Sequence, residues 1–271
     1  MTDGSFSFCD AEIAYTDVGR GAPALLFCHG NSASRRTFDE LISLLSEDYR
    51  CYSLDFYGHG DSSLPSTDAC TLRGYSDLCR AFIAAREVDE CVLVGHSLGG
   101  HAVMEALPHL SAGRVRGAVM ISAPPFSRDT LSDAFRDPVD GLMFQAEISP
   151  TQAERIAGAL VKTSAVSNAS YRAVIARVLA TDGSVRQRIG QVVAQGEFDD
   201  ERVICATTTL PLHFIQGSED PFVNQEYLSS VRGHDGRAIR GTLIVGAQHC
   251  PHQEQPKQTA ASIRAFLATL R

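Results

Sequence analysis

The sequence predicts an α/β protein with a mostly parallel sheet of eight strands, flanked by helices and interrupted by one all-helical insertion after the sixth strand. Three observations support this class. Short continuous apolar runs, typical of buried strands, alternate with longer segments that have the apolar period of helices. The motif Gly95-His96-Ser97-Leu98-Gly99 joins one of these runs to a helix. A long stretch with helical patterns alone then precedes the last two strands.

The apolar runs predict the strands in order along the chain. Residues 6–15 alternate loosely and predict edge strands. Strands alternating with helices imply a parallel sheet that is covered on both faces. The remaining predicted strands are 24–28, 50–54, 91–94, 115–122, 210–216 and 241–245, and the predicted helices around them are 35–46, 72–86, 100–110 and 256–270.

The alternation stops between residues 124 and 202. Patterns in this stretch, for example at 153–166 and 171–179, are helical, and no convincing strand is found. An all-helical insertion between two strands of a sheet predicts a cap over the carboxyl ends of the strands. The predicted organisation is a core domain of residues 1–123 and 203–271 and a helical cap of residues 124–202.

Composition and charge narrow the classes of partner. The chain has 271 residues, of which 44% are hydrophobic, enough to bury a full core. Its net charge of −8, without a basic run, argues against nucleic acid and an anionic membrane surface. No leader peptide or membrane-spanning apolar stretch is recognised. Eight cysteines without a C-x-x-C spacing indicate free thiols, so a cytoplasmic protein is expected. With nucleic acid and membrane disfavoured, the expected partner is a small-molecule substrate.

Ser97 is the predicted nucleophile. A serine on a tight strand-to-helix turn is exposed in a strained conformation, and Gly95 and Gly99 let strand and helix cross closely. The start of the following helix provides backbone N–H groups, and its dipole favours negative charge. We therefore predict two oxyanion donors, the N–H of Leu98 and the N–H of Asn31 in the loop after an earlier strand.

A serine hydroxyl needs a base, and the base needs an orienting acid. His249 follows the last predicted strand and Asp220 follows the strand before it, so both should reach the sheet edge near Ser97. His252 is the rival base among nine histidines. Glu219 is the rival acid, and Asp220 is favoured because Asp before Pro is a turn-forming pair.

A second group of polar residues, in the stretch 55–62, is interpreted as structural. Asp55, His59, Asp61 and Ser62 surround a Gly-rich turn that leads toward the next helix. No three-ligand motif such as H-E-x-x-H is present, so neither a metal nor a cofactor is predicted.

The sequence resembles the α/β-hydrolase family over nearly its whole length. The resemblance implies the α/β-hydrolase fold and a triad of Ser97, Asp220 and His249. A nucleophilic Asp, as in haloalkane dehalogenases and epoxide hydrolases, is excluded because Ser97 occupies that position. The matching segments are HGNS at 29–32, DFYGHGDS at 55–62, GHSLGG at 95–100, EDPFV at 219–223 and GAQHCPHQE at 246–254.

Within this family the chain is most similar to the N-acyl-homoserine-lactone lactonases of the α/β-hydrolase type. Such lactonases can have Trp before the serine and Glu as the acid, where this chain has His96 and Asp220. The similarity implies a serine hydrolase that opens a lactone through an acyl-enzyme. The matching segments are HGNS at 29–32, SLGGH at 97–101, SAPP at 122–125, ATDG at 180–183 and DPFV at 220–223.

Other functions remain open on the same residues. A general carboxylesterase or thioesterase, a carbon–carbon bond hydrolase and a cofactor-free haloperoxidase-like enzyme would all use the triad. A non-catalytic binding protein is the alternative of a different class. An intact set of Ser97, Asp220 and His249 argues against it, because a receptor has little need for all three.

Overall fold

The computed structural model describes residues 2–65, 68–111, 113–239 and 241–270. Eight strands form one sheet in the order β1-β2-β4-β3-β5-β6-β7-β8. β2 pairs antiparallel with β1 and β4, and the other neighbours are parallel. The predicted fold class is confirmed. The strands are β1 (Thr2–Phe8), β2 (Ala11–Val18), β3 (Ala24–Cys28), β4 (Cys51–Leu54), β5 (Cys91–His96), β6 (Val115–Ile121), β7 (Leu212–Gly217) and β8 (Gly241–Ile244).

The helices connect these strands in the described part of the chain. None of them is long and apolar enough to cross a membrane. The α-helices are α1 (Asp39–Leu45), α2 (Leu72–Ala85), α3 (Leu98–Ala106), α4 (Leu131–Ala134), α5 (Pro150–Leu160), α6 (Asn168–Ala180), α7 (Gly183–Gln195), α8 (Glu201–Thr207), α9 (Gln225–Leu228), α10 (Pro251–Glu254) and α11 (Pro256–Ala268).

Two apolar clusters cover the two faces of the sheet. Val92 and Val94 of β5 lie in the cluster that includes residues of α1 and α11. Leu93, between them, lies in the cluster that includes residues of α2 and α3. Successive side chains of a strand point to opposite faces, so a strand covered on both sides needs a continuous apolar run. This requirement explains why the central strands could be recognised from the sequence.

The helical insertion, residues 122–211 between β6 and β7, has an apolar cluster of its own. Ile156 of α5 and Val178 of α6 belong to it, together with Cys250 from the loop after β8. α5 begins at a serine cap, where the side chain of Ser149 accepts a hydrogen bond from the N–H of Gln152. The predicted domain boundary after residue 202 falls inside α8, and the division into core and cap stays a prediction.

The helix after β5 differs from its predicted bounds. Predicted over 100–110, α3 starts at Leu98 and ends at Ala106, and a 3-10 turn over Leu107–His109 follows. Pro108 lies in that turn, and its missing N–H cannot continue the α-helical hydrogen bonds. The earlier start places the whole first turn of α3 directly behind Ser97.

α3 also carries a buried carboxyl group, that of Glu105. The side chain accepts a hydrogen bond from the N–H of Asp199 at 3.0 Å. Burial, together with the nearby carboxylates of Glu201 and Asp199, raises the pKa of Glu105 to about 8. The carboxyl group of Glu105 has a higher pKa in the folded chain than in the unfolded chain. Its contribution to the stability of the fold is therefore complete below the unfolded pKa and is lost as the pH rises through 8.

Replacing Glu105 with Gln is therefore expected to raise the free energy of unfolding by about 3 kcal/mol at pH 8 and by little at pH 5. The amide keeps an oxygen for the N–H of Asp199 but removes the cost of ionisation. Urea unfolding at the two pH values measures the effect. Glu147→Gln, at an exposed position, is the control, and an equal gain at both pH values for Glu105→Gln would contradict the expectation.

Candidate active site

The chain turns sharply at Ser97, between β5 and α3. Ser97 has a φ of 49° and a ψ of −121°, in a region that non-glycine residues seldom adopt. A Cβ atom at Gly95 would collide with the backbone of Gly99 and Gly100, and one at Gly99 with the carbonyl oxygen of Cys28. The two glycines therefore allow the close crossing that strains Ser97 and presents its side chain to a cavity.

Asp220 and His249 are brought together at the ends of β7 and β8. Nδ1 of His249 lies 2.9 Å and 3.1 Å from the two carboxylate oxygens of Asp220. Oδ1 of Asp220 also accepts hydrogen bonds from the N–H groups of Phe222 at 2.9 Å and Val223 at 3.3 Å. The carboxylate of Asp220 accepts a hydrogen bond from the Nδ1–H of His249, which leaves Nε2 of His249 with its lone pair.

The rival acid and the rival base lie elsewhere. Glu219 forms an ion pair with Lys162, and its side chain is 52% exposed. His252 is buried, and its Nε2 lies 3.3 Å from Oγ1 of Thr37. Burial lowers the pKa of His252 to about 3. Neither residue lines the cavity that Ser97 lines.

The loop after β3 that carries Asn31 is held by two buried histidines. Nε2 of His29 accepts a hydrogen bond from the N–H of Phe56 at 2.9 Å, and Nε2 of His59 accepts one from the N–H of Ser32 at 3.2 Å. Burial lowers the pKa of His29 to about 4 and that of His59 to about 3. Both rings are therefore neutral at pH 7, as acceptors must be.

Both predicted oxyanion donors border the same cavity, which Asn31 and Leu98 help to line. The backbone N–H groups of these two residues donate to no other group in the described part of the chain. The side chain of Asn31 donates to the carbonyl of Met143 at 2.8 Å, which ties the loop to the helical insertion. Two free N–H groups beside a strained serine fit the binding of an oxyanion.

The polar stretch 55–62 packs behind this loop. Asp55 accepts a hydrogen bond from the N–H of Arg35 at 2.6 Å and pairs with its guanidinium group. Asp61 pairs with the same guanidinium at 2.7 Å. Ser62 donates to the carbonyl of Asp55 and accepts from the N–H of Ala14. All of these contacts join residues of the chain to one another, as expected for residues with a structural role.

His96 has a contact that the sequence did not indicate. Its Nε2 donates a hydrogen bond to the carbonyl of His249 at 2.9 Å, which links the turn before Ser97 to the loop after β8. Burial, with the neighbouring His252 and His249, holds the pKa of His96 well below its usual range. No local pattern predicts this bond, because the two residues are far apart in the chain.

His96, Cys250 and His252 place three potential metal-ligating atoms within 4.8 Å of one another. Burial raises the pKa of the Cys250 thiol well above its usual value, which disfavours the thiolate that a metal would need. His96 already uses Nε2 to hold the loop of His249. The group fits a packed buried cluster, and the absence of a metal stays a prediction.

A cavity of about 370 Å³ is lined by Ser97 and His249. Most of the remaining lining is apolar and comes from both the core and the helical insertion. His101 is one of the polar lining residues. It was not among the predicted site residues, although its position four residues after Ser97 placed it on the first turn of α3. Among the apolar lining residues are Phe126, Phe135, Met143, Leu160, Ile189 and Phe222.

A family model described as the Alpha/beta hydrolase family matches residues 25–262. The chain belongs to this family. Among curated relatives of this α/β hydrolase, a non-heme haloperoxidase from Rhodococcus erythropolis is 35% identical over 131 residues, or 48% of this chain. The match spans about half of that relative, 47% of its length. Esterase YbfF from Escherichia coli (strain K12) is 24% identical over 245 residues, which cover 90% of this chain and 92% of the esterase.

Solved structures share the fold of this α/β hydrolase. N-acyl homoserine lactonase AidH complexed with N-butanoyl homoserine superposes with a TM-score of 0.90 at 23% identity, covering 100% of this chain and 97% of AidH. Esterase RhEst1 from Rhodococcus sp. ECU1013 has a TM-score of 0.82 at 22% identity, with full coverage of both chains, 100% each. The resemblance to a lactonase is therefore confirmed for the fold.

Proposed function

We propose that this α/β hydrolase is a serine hydrolase of carboxylic esters and that its substrate is a lactone, such as an N-acyl-homoserine lactone. One observation carries the proposal. Ser97, on its strained turn, and His249, which is hydrogen-bonded to Asp220, line the same cavity. Asn31 and Leu98 border that cavity with unused N–H groups, so nucleophile, base and oxyanion donors are available to one carbonyl group.

The chemistry follows from these positions. His249 takes the proton of Ser97 through Nε2 while the serine oxygen attacks the carbonyl carbon. The N–H groups of Leu98 and Asn31 stabilise the negative oxygen of the tetrahedral intermediate. His249 then protonates the departing alkoxide, which in a lactone stays joined to the acyl group. A water molecule, activated by the same base, attacks the acyl-enzyme and releases the hydroxy acid.

The shape and polarity of the cavity support an acyl substrate. Aromatic and aliphatic side chains, among them Phe126, Phe135 and Leu160, dominate a volume of about 370 Å³. Binding an apolar chain there removes apolar surface from water. AidH, an N-acyl homoserine lactonase with the same fold, supports the lactone. A general carboxylesterase is the second candidate, because two esterases match over nearly the whole chain.

Two measurements on the unmodified protein test the proposal. A fluorophosphonate probe is expected to label Ser97, with the site mapped by mass spectrometry of peptides. A panel of lactones, p-nitrophenyl esters and acyl thioesters is then ranked by kcat/KM, with ring opening detected as a mass gain of one water. No label on Ser97 would overturn the serine mechanism, whereas rapid ester hydrolysis without lactone opening would replace the lactonase by the carboxylesterase.

A further inference from the structure

A second imidazole–carboxylate pair lies at the wall of the apolar cavity. Nδ1 of His101 lies 3.0 Å from both carboxylate oxygens of Glu201. The side chain of Glu201 is 0% exposed. Oε2 of Glu201 also accepts a hydrogen bond from the N–H of Phe126 at 3.2 Å. The ring of His101 stands edge-on to the rings of Phe126 and Phe135, at centroid distances of 4.9 Å and 5.6 Å.

These contacts define the hydrogen-bonding character of His101. Glu201, as a carboxylate, is an acceptor for both the Phe126 N–H and the Nδ1 proton of the imidazole. In the tautomer that donates from Nδ1 to Glu201, the lone pair of the ring is on Nε2. In the described part of the chain, Nε2 of His101 has no hydrogen-bond partner, and His101 lines the cavity. An acceptor at the wall of a mostly apolar cavity, with no partner among the described residues, favours a ligand that brings a donor.

His101 is also close to the reacting serine. The N–H of His101 donates to the carbonyl of Ser97 at 3.1 Å, the hydrogen bond that closes the first turn of α3. Four residues at about 1.5 Å of rise each place the two residues about 6 Å apart along the helix axis. A substrate group that meets the His101 ring while Ser97 attacks must lie only a few bonds from the scissile carbonyl.

We propose that Nε2 of His101 accepts a hydrogen bond from an N–H group on the carbon next to the scissile carbonyl. The enzyme would thereby select α-amido esters and lactones over analogues with an alkyl chain at that carbon. This inference rests on the proposed function and goes further by naming the substituent that is recognised and the residue that recognises it. If the pair of His101 and Glu201 were purely structural, it would hold α3 against α8 without affecting this selectivity.

The test compares N-hexanoyl homoserine lactone with its carba analogue, in which CH2 replaces the amide N–H. For the unmodified enzyme, kcat/KM is expected to be about tenfold or more higher for the amide, because the analogue leaves Nε2 unpaired. In His101→Leu the ratio is expected to fall to about one. His109→Leu, at an exposed position in the 3-10 turn after α3, is the matched control and should keep the unmodified ratio.

The outcomes separate this inference from the proposed function. Equal kcat/KM for the two lactones in the unmodified enzyme, or an unchanged ratio in His101→Leu, overturns the role of His101 but leaves ester hydrolysis standing. If His101→Leu does not fold, the ratio in the unmodified enzyme decides alone. If neither lactone is opened, the p-nitrophenyl esters of N-acetylglycine and its carba analogue 4-oxopentanoic acid give the same ratio. If none of these four substrates is hydrolysed, both proposals are overturned.

Discussion

Ser97→Ala is expected to lower kcat for ester hydrolysis by about 10⁵- to 10⁶-fold, the largest effect of any single substitution in this protein. Without the hydroxyl no acyl-enzyme forms, and only substrate binding and the two oxyanion N–H groups remain to assist attack by water. The thermal midpoint should change little, because the side chain stands at a cavity. Steady-state hydrolysis of one lactone and one p-nitrophenyl ester measures the loss.

Ser122 provides a matched control for this substitution. It follows β6, the neighbour of β5 in the sheet, and its φ of 51° is close to that of Ser97. Ser122 is buried and does not line the cavity. Ser122→Ala is therefore expected to keep the unmodified rate. A rate in Ser97→Ala close to that of the unmodified enzyme would remove Ser97 as the nucleophile.

The fold and the placement of the candidate site residues could be predicted because their signals are local. A strand buried on both faces must be apolar throughout, so β3, β5 and β6 can be recognised from the sequence. Ser97, Asp220 and His249 each follow a strand, and the carboxyl ends of parallel strands meet at one sheet edge. The structure places Asp220 and His249 in contact and leaves Glu219 with Lys162.

The contacts that support the site could not be predicted, because they join residues far apart in the chain. His96 reaches the carbonyl of His249, and His101 reaches Glu201 across the boundary of the helical insertion. Local periodicity indicates that a segment is helical but not which side chain of another segment it meets. α8 illustrates the difficulty. Cys205 of this helix packs against Met104 of α3, but the sequence marks neither this contact nor a clear boundary between cap and core at α8.

Asp220→Asn is expected to lower kcat by about 10⁴-fold, with little effect on the fold. An Asn amide can donate to Nδ1 of His249, which stabilises the imidazole with its proton on Nε2. In that tautomer His249 has no lone pair for the proton of Ser97, so the nucleophile is not activated. The Asn oxygen keeps the hydrogen bonds from Phe222 and Val223, so the loop after β7 retains its conformation.

Glu219→Gln is the adjacent control, and it decides between the two acids that the sequence left open. Glu219 pairs with Lys162 at the surface, and such a pair contributes about 0–1 kcal/mol, so kcat should stay near the unmodified value. Both variants are measured on the same ester, with thermal unfolding as a check on the fold. A large loss in Glu219→Gln with a small loss in Asp220→Asn would reverse the assignment. The 2.9 Å contact between Asp220 and His249 predicts the opposite order, because only a carboxylate that touches the imidazole can fix its tautomer.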